Sequence, residues 1–227
     1  MLFSRDIIHY HSLMYDAPRL IVPSAHTVPS NSYYSVNSQR YRAPEWELVD
    51  WQNSVVVFGC SQVFGIGLED NETLSSVLSQ IIELPVINLG VQGSSISFAM
   101  YNNMLLHKNF PKPRAVVNMW TLPDRYPFFK QDGSVENIGG WNMRDLLIFH
   151  APNAFAHATL QMMVTKQLWK DECPYIESTF FFPTNELLNI ELPMLPIDNA
   201  KDKMHYGPKT MLVFASKIAK QLQQQGV

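Results

Sequence analysis

Four short apolar runs, each followed by a segment with helical spacing, leave this chain few folds to choose from. The runs are "SVVVFG" from Ser54, "PVINLG" from Pro85, "RAVVNMWT" from Arg114 and "YIESTFFFPT" from Tyr175. "VVV" is β-branched throughout and too short for a helix, so it reads as a strand buried on both faces. "NETLSSVLSQII" carries Leu74, Val77, Leu78, Ile81 and Ile82 on one helical face, with Asn71 or Asp70 as its cap. "SSISFAMYNNMLLHK" sets Ile96, Met100, Met104 and Leu105 in register, and "NAFAHATLQMMVTKQLWK" reads as a third helix. "GPKTMLVFASKIAKQLQQQ" closes the series with Met211, Phe214, Ile218 and Leu222 on one side. Each connection is long enough for a crossover. The expectation is an α/β chain, a three-layer α/β/α sandwich with a mostly parallel central sheet.

Such sheets present reactive groups at the carboxyl ends of their strands. The first run ends in "FGCSQVFGIG", which puts Ser61 just past the carboxyl end of a buried strand. A serine hydroxyl becomes a nucleophile when a base takes its proton. "AKDKMHYGP" offers Asp202 and His205 three residues apart, directly before the last helix. On a tight turn the carboxylate reaches Nδ1–H and leaves Nε2 free as the base. Alone, Asp-x-x-His is a frequent coincidence. His11, His26, His107, His150 and His157 have no carboxylate at this spacing; they read as surface or core residues, as does His9, although Asp6 stands three residues before it. Cys60 is the other nucleophile in the stretch. One residue earlier on the strand, it faces the opposite way and reads as a small core residue. "NLGVQGSS" places Gly93 at a strand-to-helix junction, where its N–H and that of Ser61 suit an oxyanion; plain turn geometry is the alternative for Gly90 and Gly93.

Taken together, these blocks resemble the SGNH (GDSL-like) serine hydrolases. "VVVFGCSQVFGIGLEDNETL" is similar to the first block of that family, "VINLGVQGSS" to the second, and "DKMH" with the helix after it to the last. The blocks span residues 54 to 224 in the family's order. The "VNSQRYRAPEW" stretch also resembles a segment found upstream of this domain in some members. The resemblance implies a flavodoxin-like SGNH fold and an esterase in which Ser61 attacks, His205 is the base and Asp202 orients it. It implies an oxyanion hole from Ser61 and Gly93. Two departures stand out. Cys60 replaces the family's aspartate, which is not catalytic. The third block, usually Gly-x-Asn-Asp, falls within "MWTLPDRY", which holds no Asn after the strand; Thr121 is the stand-in, and Asn118 lies inside the strand.

Composition sets the remaining limits. The 227 residues suit one medium-sized domain, with 46% hydrophobic residues to fill its core. Only 16% are charged, the net charge is −3, and no Lys/Arg cluster occurs, so no nucleic-acid partner is expected. Two distant cysteines make neither a disulfide framework nor a zinc site. The first residues contain no long apolar stretch, so neither a signal peptide, a membrane helix nor a membrane partner is expected, and the chain reads as soluble and made in a cytoplasm. Its final compartment and any oligomeric state stay open. Residues 1–50, rich in Pro, Ser, Asn and Tyr, read as an extended arm packed on a main domain of residues 51–227. Residues 128–150 read as an insertion, either a lid or an oligomer contact. No metal or organic cofactor is implied. The expected substrate is a small acyl ester or an O-acetylated carbohydrate, the latter favoured by Trp and Asn in the pocket loops, where Trp120, Trp141 and Tyr126 either line a sugar site or belong to the core. The rival is a hydrolase-like fold retained as a binding module of a larger assembly.

Overall fold

Strand β1 (Val55–Gly59) forms the centre of the molecule, buried along its whole length. The structure, a computed structural model, describes residue 20 and residues 34–129, 135–180, 188 and 196–227; for residues 128, 129 and 140–153 it describes the backbone alone. Most of the expected arm before Tyr34 thus lies outside the described residues. After β1 come a one-turn helix α1 (Ser61–Phe64), helix α2 (Leu74–Ile82), β2 (Val86–Gly90), α3 (Ile96–Asn109) and β3 (Ala115–Trp120). A hairpin of β4 (Tyr126–Phe129) and β5 (Val135–Ile138) leads into the long α4 (Gly140–Trp169), then β6 (Tyr175–Thr179) and α5 (Pro208–Gln224).

The main sheet is parallel, in the order β2-β1-β3-β6. Strand β2 lies on one side of β1 and β3 on the other, so the crossover direction reverses between β1 and β3. The crevice above such a reversal, at the carboxyl ends, is where doubly wound sheets hold their ligands. Alternating side chains of β1 feed two cores. Val55 and Val57 meet Leu74 and Leu78 of α2 and Met211, Phe214, Ile218 and Leu222 of α5. Val56 and Phe58 meet Phe98, Leu105 and Leu106 of α3 and Trp169 of α4. Burial on both faces is why the sequence runs β-branched without polar alternation.

Three local expectations change. Helix α2 begins at Leu74 and is capped by Thr73, whose hydroxyl accepts the Ser76 N–H at 3.2 Å; Asp70 and Asn71 belong to a preceding 3-10 turn. The Glu72 carboxylate accepts the Glu69 N–H there, which closes a separate turn and delays the helix. Helix α3 turns Asn102 and Asn103 fully inward, while Met100 and Met104 are half-buried. The asparagines tolerate this because both are hydrogen-bonded: Asn102 Nδ2 donates to the Tyr41 hydroxyl, and Asn103 bonds Ala99, Asn118 and Trp169. Finally, α4 starts at Gly140, well before the expected Asn153, so the 128–150 segment contributes a β-strand and the first turns of a helix.

Candidate active site

At the end of β1 the chain turns into α1 with almost no space to spare. A Cβ on Gly90, at the end of β2, would lie 2.3 Å from the Phe64 backbone nitrogen. A Cβ on Gly59 would lie 2.4 Å from Val63 Cγ2. Glycine at both strand ends lets α1 sit directly on them, which explains why the strand stops in small residues. Asn88 Nδ2 donates to the Val63 carbonyl at 2.8 Å, and the Val91 N–H and Ser94 hydroxyl both donate to the Gly59 carbonyl. Ser61 is thus the first residue of a pinned turn, half-buried, with its N–H among the donors the helix leaves unpaired. Cys60 is fully buried, as a core residue should be.

Asp202 and His205 lie on a tight turn closed by Ala200 N–H to the His205 carbonyl and by Lys203 N–H to the Ala200 carbonyl. Lys203 adopts φ 60° within it. One Asp202 oxygen accepts the Met204 and His205 N–H groups, and the other lies 2.5 Å from His205 Nδ1. Burial alone would raise the Asp202 pKa. The hydrogen bonds from the His205 ring and from the His205 and Met204 amides outweigh it and hold the carboxyl below its ordinary value. With Nδ1 committed to the carboxylate, Nε2 is the ring nitrogen left for chemistry. The next residue ties this turn to the serine: the Tyr206 N–H donates to Gln62 Oε1 at 3.0 Å. The neighbours of Ser61 and His205 are therefore directly bonded. No hydrogen bond joins Ser61 to His205 among the described residues.

Gly93 sits between β2 and α3 with φ 70°, the left-handed region where a side chain is strained, and its N–H has no partner among the described residues. Thr121 follows β3 directly. Thr121 is 3% exposed, and its hydroxyl is buried and makes no hydrogen bond. Asn118 is elsewhere: it points towards α3, where its Nδ2 donates to Asn103 Oδ1 at 3.2 Å. Trp120 also turns inward, packed on Ile96 and Met162, with its indole N–H on the buried Glu177 carboxylate. It is a core residue, which removes one of the pocket aromatics behind the carbohydrate expectation. Of Trp141 no side chain is described. Sequence reasoning missed Gln62, Asn88 and Ser94. Their polar character inside otherwise apolar blocks is the signal that could have marked them. No group of three or more His, Cys, Asp or Glu with metal-holding geometry occurs among the described residues. No described helix is long and apolar enough to cross a membrane.

No protein-family model matches the sequence, and no curated protein matches it. Solved structures do. One is AlinE4, an SGNH-hydrolase family esterase, 18% identical, with 56% of this chain and 58% of that one covered and a TM-score of 0.38. Another is a protein placed in the G-D-S-L lipolytic family, from Desulfitobacterium hafniense DCB-2. It is 13% identical, with 75% of this chain and 99% of that one covered and a TM-score of 0.46. In that first match the chain spans less than two thirds of the length of AlinE4. In this chain itself the main sheet is parallel and lies between helices on its two faces.

Proposed function

We propose that the protein is a serine ester hydrolase. The Ser61 hydroxyl attacks the ester carbonyl while His205 Nε2 takes its proton, and Asp202 holds the ring and stabilises the charge it acquires. The tetrahedral oxygen is received by the N–H groups of Ser61 and Gly93, with the Thr121 hydroxyl as third donor. Collapse expels the alcohol, protonated by His205, and leaves an acyl group on Ser61. Water, deprotonated by the same nitrogen, then releases the acid and restores the serine. The observation that carries this reading is the 2.5 Å contact between Asp202 and His205 Nδ1, on a turn bonded to the residue after Ser61. The substrate is a small acyl ester; an O-acetyl group on a carbohydrate is one such substrate, now without support from Trp120.

A second reading, a binding module that has lost catalysis, is favoured by the engagement of Asn118 in the core, which takes that asparagine out of reach of the third-donor role. Labelling by a fluorophosphonate probe separates the two. Covalent modification of Ser61, lost in Ser61→Ala, supports the hydrolase. Absence of labelling together with no turnover of p-nitrophenyl acetate puts the binding module ahead. A panel of p-nitrophenyl esters of rising chain length against acetylated sugars then fixes the acyl and alcohol preference.

A further inference from the structure

The segment before the main domain is bonded to the loop that follows Ser61. Arg42 is 7% exposed. Its Nη1 donates to the carbonyls of Phe64 and Gly65, and its Nη2 donates to that of Leu68. Its Nε donates to Asp70 at 2.8 Å, and its guanidinium stacks 4.4 Å from the centre of the Tyr34 ring. The Tyr34 hydroxyl in turn accepts the Gly67 N–H at 2.7 Å. Burying a guanidinium is costly unless its donors are satisfied, and here most of them close on carbonyls of one irregular loop.

The other side of that loop rests on the Asp202 turn. The Gly67 carbonyl accepts the Lys201 N–H at 3.1 Å. A Cβ on Gly67, which has φ 78°, would lie 2.9 Å from Ala200 Cβ and 3.1 Å from Asp202 Oδ1. Lys201 also pairs with Glu69 of the same loop. One continuous series of contacts therefore runs from Tyr34 and Arg42, through residues 64–69, to Asp202 and His205.

We propose that Tyr34 and Arg42 are positioning residues, which hold the Gly67 turn against Asp202 so that its carboxylate stays aligned with the His205 ring. This role rests on the hydrolase reading for its effect on rate, but not for its effect on the ring. The titratable and charged groups around the pair are Asp202 itself, the Lys201–Glu69 ion pair, Glu72 beside Lys201, Lys203 in the turn, Asp198 at the start of α5, and Cys60 and Tyr206 from the sheet side. Among them only Asp202 bonds the ring. A ring that loses an aligned carboxylate loses the hydrogen bond of its Nδ1–H, so loosening the clamp must weaken the Asp202–His205 bond itself.

The test uses Tyr34→Phe, which deletes one hydroxyl and keeps the ring on Arg42, and Arg42→Ala. The His205 Nδ1–H resonance is followed by NMR, with the signal assigned through His205→Asn, alongside kcat and KM for p-nitrophenyl acetate. Arg42→Ala should move that resonance upfield, as a weakened bond to Asp202 requires, and speed its exchange with water. It should lower kcat by about tenfold or more with KM within about twofold, and millimolar guanidinium should restore part of the rate. Tyr34→Phe should move the resonance in the same direction by less. An unchanged His205 Nδ1–H resonance in a folded Tyr34→Phe and Arg42→Ala overturns the proposal, even if stability has fallen. If the wild type hydrolyses no ester and the resonance still moves, the hydrolase reading falls and the positioning role stands.

Discussion

The two loops that meet at the reversal between β1 and β3 are built to different standards. The loop after β1 is pinned from every side: Gly59 and Gly90 admit α1, Asn88 and Ser94 bond its backbone, and Arg42 holds its far end. The loop after β3 begins with a buried hydroxyl that has no partner and continues into a two-stranded hairpin. A nucleophile must be placed to a fraction of an ångström before substrate arrives, and tight backbone packing does that. An oxyanion donor is different. Its partner exists only during the reaction, and a donor left open in the resting protein is what such a role requires. An open buried hydroxyl otherwise costs about 1–3 kcal/mol.

The most severe way to break the first loop is to remove its hydroxyl. Ser61→Ala should lower kcat/KM for p-nitrophenyl acetate by about 10⁴ to 10⁶-fold with an unchanged melting curve. Cys60→Ala, on the core side, should retain most of the rate. If the two results are exchanged, the chemistry belongs to Cys60.

Asp202→Asn should come next, at about 10⁴-fold in kcat, because an amide favours the wrong tautomer of the ring. The same variant reports on stability. Hydrogen bonds hold Asp202 below the ordinary aspartate value of 3.8. The stability it contributes is therefore complete above that value and is lost as pH falls through the lowered one. Unfolding measured between pH 5 and pH 2 should be less steeply pH-dependent in Asp202→Asn than in the wild type; an equal dependence would mean the carboxylate adds nothing to folding.

Packing around the first loop gives a third test. Alanine at position 90 would put its Cβ 2.3 Å from a backbone nitrogen, so α1 would have to move off the sheet. Gly90→Ala should cost about 3 kcal/mol, near a hundredfold in the folded-to-unfolded ratio, read by urea denaturation. A cost under about 1 kcal/mol would mean that α1 rides loosely on β2 after all.

Legibility in the sequence follows the same division. The face of the sheet covered by α2 and α5 was readable because its helices are apolar at strict spacing: Leu74, Leu78, Met211, Phe214, Ile218 and Leu222 all pack where the pattern puts them. The face covered by α3 and α4 was not, because its core is partly polar. Asn103, Asn118, Tyr175, Glu177, Trp120 and Trp169 bond one another there, and no periodicity separates a satisfied buried amide from an exposed one. The Asp202–His205 contact was legible as a spacing on a turn. The anchoring of the serine loop by Arg42 and Gln62 was not, since those bonds join segments 22 to 144 residues apart.

The smallest effect tests the second loop. Thr121→Val keeps the shape of the side chain and deletes its hydroxyl. If the hydroxyl is an open donor, its bond forms mainly in the transition state, so kcat should fall by about tenfold with KM little changed. Folding should become no less stable, because the resting protein loses no hydrogen bond. A gain in stability beside a fall in kcat would be the signature of a group kept for reaction at the expense of the fold. The opposite pair, lower stability with unchanged kcat, would show Thr121 to be an ordinary packing residue. The third donor would then be sought among the backbone N–H groups of "TLPDR", and the contrast between a pinned loop and an open one would lose its functional meaning.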